Sequence, residues 1–304
     1  MPRKIVWPKT YDFAFTIVDD TDGATVENVK PVYDYLYSKG IITTKTCWAY
    51  PSRDNVYTGE CLQDENYREF LKDLRNKGYE IGFHNAGSGE FKREETLKAL
   101  ELFKETFGNY PKMHINHSNN IENIYWGSKR FSPIISKVYS LLRKNIKSLG
   151  TDEKSEYFWG DIAKKHFKYI RNRTFNEINT LKADSRLVYP ETGKEKYSNY
   201  WFSSSDGMRL VPFLKLLKKE NVDKLIKEKG CCIVYTHFAY DFVDENGILS
   251  EEFKECIDYI ASKNGWFAPA SEILDYVLEN NSYKPSKFYE TCKDFRWFFE
   301  RIVK

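Results

Sequence analysis

Short apolar runs alternate with amphipathic helical stripes along this chain, and that rhythm restricts the fold to architectures in which helices cover a parallel sheet. The run FAFTIV (13–18) is apolar or β-branched at nearly every position, as in a strand buried on both faces. The segment after it places Val26, Val29, Val32, Tyr33 and Leu36 on one helical face and is followed by Gly40, where a helix-terminating glycine belongs. The unit recurs in IITTKTCWAY, NYREFLKDLRNKG and YEIGFHN, and again in REETLKALELFKETFG and KMHINHS. Strand and helix alternating at intervals of about thirty residues predict right-handed βαβ units around a parallel sheet or barrel.

The rhythm returns in YWFSSSD (200–206), in a helix through Leu210, Phe213, Leu214 and Leu217, and in CCIVYTHF (231–238). A helix bearing Phe253, Cys256, Ile257 and Ile260, a short strand at GWFAPA, and a helix with Ile273, Leu274 and Val277, capped by Ser271, complete the pattern. Residues 119–199 are less regular. An amphipathic helix marked by Ile134, Ile135, Val138, Leu141 and Leu142 and a strand at FKYIRNRTF stand among polar passages rich in Tyr, Trp, Lys and Asn. These read as barrel elements with elaborated loops, so residues 1–304 are expected to form one α/β barrel domain with its core at about 11–280.

In parallel α/β folds, functional groups collect at the carboxyl ends of the strands. There the sequence puts Asp19 and Asp20, His84, His117, Asp206 and His237. Ordinary roles exist for each: Asp19, Asp20 and Asp22 can form a turn and cap the helix starting near Thr25, and a single histidine is commonly a hydrogen-bonded structural group. One acid suffices for a cap, however, and imidazoles on the same rim as a carboxylate pair make a set suited to Zn²⁺ or a related divalent ion. Water on such an ion is acidified, and a second carboxylate can take the remaining proton. An adjacent Asp19–Asp20 pair then divides into one ligand and one base, with Asp22 left to the turn. His114 is expected to be packed and His166 solvated.

The stretch FTIVDDTDG resembles the first motif of the NodB-like polysaccharide deacetylases (carbohydrate esterase family four), GYEIGFHNAGSG resembles their second, and CIVYTHF looks like their closing strand motif, which ends in histidine. Order and spacing fit over most of residues 11–280. The resemblance implies a deformed (β/α)₇ barrel that removes acyl groups from sugars with one divalent metal, Zn²⁺ first, with Co²⁺, Mn²⁺ or Ni²⁺ as alternatives. Carried across, Asp19 would be the general base, Asp20 and His84 metal ligands, and His237 the general acid. Two departures stand out. Ser88 occupies the place of the second motif's second histidine, and INHSNN replaces an Arg-Pro-Pro-Tyr stretch. His117 is the substitute third ligand, with Ser88 or a water as alternatives; without the motif arginine Asp19 has no evident partner. Asp206 is a candidate orienting or substrate-binding group.

Charge and hydropathy narrow the partners. The 47 basic residues nearly balance 44 acidic ones, and no basic tract suggests nucleic acid or an anionic membrane. The opening MPRKIVWPKTYDF lacks the apolar stretch of a secretory signal, and no run of about 18 apolar residues could span a bilayer. A cytoplasmic location is expected, with an amino-sugar substrate, short or linked to a nucleotide or lipid, as in lipopolysaccharide or capsule assembly. Six cysteines without a CxxC pair predict reduced thiols. Trp126, Tyr157 and Trp159 suit either packing, their ordinary role, or stacking on sugar rings. The expected activity is metal-dependent hydrolysis of an N-acetyl or N-formyl group. The alternatives are a catalytically degenerate saccharide-binding barrel and, last, a two-carboxylate glycoside hydrolase, which would leave His84 and His237 without a task. The oligomeric state is not legible.

Overall fold

The computed structural model describes residues 5–54, 56–118, 120–142, 147–280 and 286–303; Asn119 of the INHSNN stretch lies outside them. Nine strands occur among these: β1 (Phe13–Asp19), β2 (Thr44–Cys47), β3 (Glu80–Phe83), β4 (Met113–His114), β5 (Tyr169–Phe175), β6 (Val188–Tyr189), β7 (Tyr200–Asp206), β8 (Cys231–Thr236) and β9 (Gly265–Phe267). The helices are α1 (Val26–Ser38), α2 (Glu65–Asn76), α3 (Arg93–Phe107), α4 (Pro133–Leu142), α5 (Gly160–His166), α6 (Thr180–Ala183), α7 (Leu210–Leu216), α8 (Lys219–Lys227), α9 (Glu251–Ala261), α10 (Ala270–Asn280) and α11 (Lys287–Phe298).

Parallel pairing runs β1–β2–β3–β4–β5–β7–β8 and returns to β1, closing a seven-stranded barrel, while β6 lies antiparallel on β7. The closure is uneven. On one edge β1 pairs with β8 from Ala14 to Asp19; on the other, β9 takes Phe13 to Phe15, leaving β2 only Val18 and Asp19. The deformed (β/α)₇ barrel is thus present; the junctions β1–β2 and β7–β8 pair at two positions each, and the ladder of β4 spans Met113 and His114 alone. His117, expected at a strand end, therefore stands in the loop beyond β4.

Side chains alternate across a strand, and the barrel uses that alternation strictly. Phe13, Phe15 and Ile17 pack in one cluster with Val29, Val32, Tyr33 and Leu36 of α1. Ala14 and Val18 pack with Met113, Tyr169, Phe202, Cys231 and Ile233 in a second cluster, the barrel interior, together with Ile273, Leu274 and Val277 of α10. Odd positions of β1 accordingly face the helices and even positions the interior.

Three local expectations are corrected. Helix α10 begins at Ala270, so Ser271 lies inside it, and its amide donates to Glu80 Oε2 at 3.1 Å instead of the hydroxyl capping the helix. Helix α4 exists, but of its apolar positions it buries Ile135, together with Tyr139, and leaves Ile134, Val138, Leu141 and Leu142 exposed. The core also extends past residue 280: α11 docks on α4 and β5, with Trp297 and Phe298 packed against Phe131, Ile135, Tyr139 and Phe175. Its anchor is Asp294, which accepts from buried Arg173 at 2.6 Å while Arg173 also reaches Glu191 at 3.0 Å. Each charge in that trio is answered, as burial requires. Among the described residues no helix is long and apolar enough to cross a membrane.

Candidate metal centre and active-site cleft

The three acids after β1 go to three different places. Asp19, at an odd position, points between barrel and helices and is fully buried. Its Oδ2 accepts from Tyr33 Oη at 2.9 Å and lies 2.9 Å from Lys45 Nζ, its Oδ1 accepts from the Phe238 amide at 2.8 Å, and it does not line the cleft. Asp20, at an even position, faces the cleft, where both oxygens are held by the guanidinium of Arg171 on β5, one of them at 2.8 Å. Asp22 shares the parity of Asp20 and faces three imidazoles. The expectation of Asp19 free and Asp22 confined to a turn is therefore corrected, and Asp20, though close to His84 and His237, is held by Arg171 outside the Asp22–His84–His117 group. Replacing Asp19 by Asn should strand the Lys45 ammonium in the interior at a cost of about 3–5 kcal/mol, read as a lowered denaturation midpoint.

His84 Nε2 lies 3.1 Å from Asp22 Oδ1, while His117 Nε2 and His237 Nε2 lie 3.5 and 3.4 Å from Asp22 Oδ2. The outward nitrogens determine the tautomers. His84 Nδ1 donates to the Ile115 carbonyl at 3.0 Å, His237 Nδ1 to the Met208 carbonyl at 2.9 Å, and His117 Nδ1 to Asn120 Oδ1 at 2.8 Å. Facing acceptors, each Nδ1 must carry hydrogen, so a neutral ring presents a bare Nε2 lone pair to the Asp22 carboxylate. Lone pairs converging on a carboxylate need a positive charge among them, either protons or a cation. Among the described residues the buried His117 Nε2 has no hydrogen-bond partner.

Ligand atoms of Asp22, His84 and His117 all lie within 4.8 Å of one another. One carboxylate and two imidazoles, each imidazole oriented by an outer acceptor, fit a divalent ion such as Zn²⁺. Burial raises the Asp22 carboxyl, but contacts with His117, His237 and His84 outweigh it and hold the group well below the usual carboxylate range. Burial lowers His117 and His237, and Asp22 more than reverses this in both. Protons therefore compete with a cation for the same nitrogens, and acid favours release.

An outer layer braces His117. Asn120 gives its amide to the Gly87 carbonyl at 2.8 Å and to Glu122 at 2.6 Å, Glu122 also accepts from Asn85, and Asn85 accepts the His117 amide at 3.0 Å. Burial pushes the Glu122 carboxyl up to about 7. Ser88 stands apart, donating to Asp54 at 2.7 Å. Gly23, with φ +75°, turns the chain after Asp22, and a β-carbon there would meet the Tyr240 ring at 2.9 Å. His114 is buried at about pKa 3 by desolvation, against Phe83 and Phe167; His166 is half-buried beside Tyr110.

The cleft above this centre has a volume of about 480 Å³. Asp20, Asp22, His84 and His237 line its floor, and Trp126, Arg130, Trp297, Arg209 and Arg301 contribute to its walls. Asp206 reaches it only indirectly, through Arg301 Nη1 at 2.7 Å. Trp159 is fully buried and Tyr157 bonds to Glu90, so of the three flagged aromatics Trp126 alone lines the cleft. The sequence reading missed Arg171 and the α11 wall; Arg171 was marked only by lying on a strand whose odd positions could face inward.

No family model matches the chain, and no curated protein does. Solved structures do. A protein from Pseudomonas aeruginosa PAO1 described as a probable polysaccharide deacetylase superposes with a TM-score of 0.56 at 13% identity, covering 91% of this chain and 95% of that one. This is the polysaccharide-deacetylase fold. A second protein so described, from Mycobacterium smegmatis, covers 94% of this chain and 99% of its own at 12% identity and a TM-score of 0.51. Puue allantoinase covers 93% and 99% at 13% identity and 0.54. At such identities the polysaccharide-deacetylase barrel is shared, while function has to be argued from the site.

Proposed function

We propose that the chain is a metal-dependent hydrolase that removes an N-acyl group, acetyl or formyl, from an amino sugar of a surface polysaccharide or of its nucleotide- or lipid-linked precursor. The observation that carries this reading is the convergence of three imidazole Nε2 atoms on Asp22 beside an arginine-held Asp20, at the carboxyl end of the barrel. Asp22, His84 and His117 would hold the ion, Zn²⁺ or a related divalent metal. When bound, it supplies Lewis acidity that polarises the scissile carbonyl and makes water a competent nucleophile near neutral pH.

The chain's own groups divide the remaining work. Asp20 accepts the proton of the attacking water, and Arg171 fixes its orientation with a bidentate fork. Burial raises the Asp20 carboxyl, and Arg171 outweighs that, so the group is ionised and ready to accept. His237, outside the ligand trio, lines the cleft with its Nδ1 fixed on the Met208 carbonyl, so its Nε2 is the atom that would deliver a proton to the departing amine. A barrel that only binds saccharide was motivated by Ser88 and a missing arginine, and His117 and Arg171 remove both motives.

The test is to load the full chain with Zn²⁺, Co²⁺ or Mn²⁺, measure bound metal, and follow acetate or formate release from N-acylated amino sugars. About one metal per chain and turnover that stops on chelation are expected; undiminished turnover by metal-free protein would sink the proposal.

A further inference from the structure

Four guanidinium groups line the cleft, and the described residues supply carboxylates for only two of them. Arg171 is paired with Asp20, and Arg301 offers Nη1 to Asp206 while its buried Nη2 has no hydrogen-bond partner among the described residues. Arg130 is only 5% exposed, yet among the described residues its guanidinium hydrogen bonds go solely to Asn172, through Nε to the side chain at 3.1 Å and through Nη2 to the backbone carbonyl. Its faces lie 4.4 Å from the Trp126 ring and 4.6 Å from Trp297. Arg209, exposed above the Tyr240 ring at 4.7 Å, has no ion pair among the described residues.

Elsewhere this protein answers its buried guanidiniums with acids. Arg173 meets Glu191 and Asp294, and Arg186 meets Asp184 at 2.9 Å. An unpaired buried cation is costly, and burial pulls Arg130 down to about 10. A divalent ion on Asp22 would add to the positive excess of the cleft. The aromatic faces around Arg130 favour a cation, but among the described residues no carboxylate forms an ion pair with its guanidinium. An oxyanion docked here would meet Arg130, Arg209 and the Nη2 of Arg301 together, because planar forks match phosphate and carboxylate oxygens bidentately.

We propose that the substrate carries an oxyanionic group, phosphoryl or carboxylate, that docks on Arg130 with Arg301 and Arg209 beside it. The sugar part of this statement rests on the hydrolase reading above; the anion site does not. Arg130 and its anchor Asn172 line the same cleft as Asp20, Asp22 and Arg171, so the anion belongs to the sugar unit under attack or to its immediate neighbour. A neutral polymer offers no such group, whereas a glycosyl phosphate, a glycosyl diphosphate or a uronic acid does.

The probes are pyrophosphate and glucuronate, titrated calorimetrically into the Zn²⁺-loaded full chain and its variants. One of them should bind, less tightly as salt rises, and Arg130→Gln and Arg209→Gln should each weaken it at least about tenfold with metal content unchanged. Pyrophosphate binding identifies a phosphoryl group and glucuronate binding a carboxylate. Because Arg130 is buried, Arg209→Gln at its exposed position carries the test if Arg130→Gln fails to fold. Failure of both anions to bind overturns the proposal, and so does binding that survives in the arginine variants and vanishes only on chelation. The two readings fail separately. Arginine-dependent anion binding by a chain that neither holds metal nor releases acyl groups would leave the anion site standing and remove the hydrolase; metal-dependent deacylation of neutral oligosaccharides without anion binding would do the reverse.

Discussion

Asp20→Asn is expected to retain its metal and to lose about 10²–10⁴-fold in turnover, the usual contribution of a positioned general base. The amide keeps the shape and accepts one hydrogen bond from Arg171, whose guanidinium is also supported 4.3 Å above the Tyr235 ring, so the fold should survive. Asp22 and the histidines are untouched, so metal content should match the parent chain. The neighbouring substitution gives the contrast: Asp19→Asn should cost stability through Lys45 and spare the chemistry of molecules that remain folded. If Asp19→Asn instead abolished turnover in a stable, metal-loaded protein while Asp20→Asn left it intact, the assignment of the base would be wrong. The pH profile adds a check with a defined sign. Arg171 lowers the Asp20 carboxyl, and the base works ionised, so weakening that fork with Arg171→Lys should move the acid limb of kcat/KM to higher pH.

Asp22→Ala should lose the metal and, with it, activity. The substitution removes the only carboxylate within the trio and leaves His84 and His117 as a two-nitrogen site, below the ligand count at which catalytic zinc is held. The loss of affinity should exceed the 10–100-fold typical of removing an outer hydrogen-bond partner, which is the range expected for Asn120→Ala through its hold on His117. Competition with a chromogenic chelator measures both. Ser88→Ala is the control, since Ser88 bonds to Asp54 and should leave affinity unchanged. Metal retained by Asp22→Ala but lost from Asp20→Ala would return the ligand role to Asp20.

The barrel was readable because β1 and most of β8 are apolar on both faces and helices such as α1, α2, α3 and α9 carry an apolar stripe, and both patterns are local. His84 and His237 were readable as rare residues just past strand ends, and His117 as one in the loop beyond β4. The division among Asp19, Asp20 and Asp22 was missed because adjacency was taken as shared location, although alternation already separates them: Asp19 continues Phe13, Phe15 and Ile17, which face helices, and Asp20 continues Ala14 and Val18, which face inward. The same rule puts Tyr235 and His237 on one side. Arg171 and Asp20 are 151 positions apart, and such a pairing leaves no local trace. Nor does the trio of Arg173, Glu191 and Asp294, where three ordinary charges become structural only by meeting.

That trio has a consequence for how the protein can diverge. Every strand of the barrel, and every residue proposed to hold metal or move a proton, precedes Lys287, whereas Trp297 and Arg301 follow it. One wall of the cleft is thus a jaw added after the machinery, joined to it by Asp294 on Arg173, by Arg301 on Asp206 and by the packing of Trp297 and Phe298, and its lining can change with what it grips while the reaction beneath remains the same.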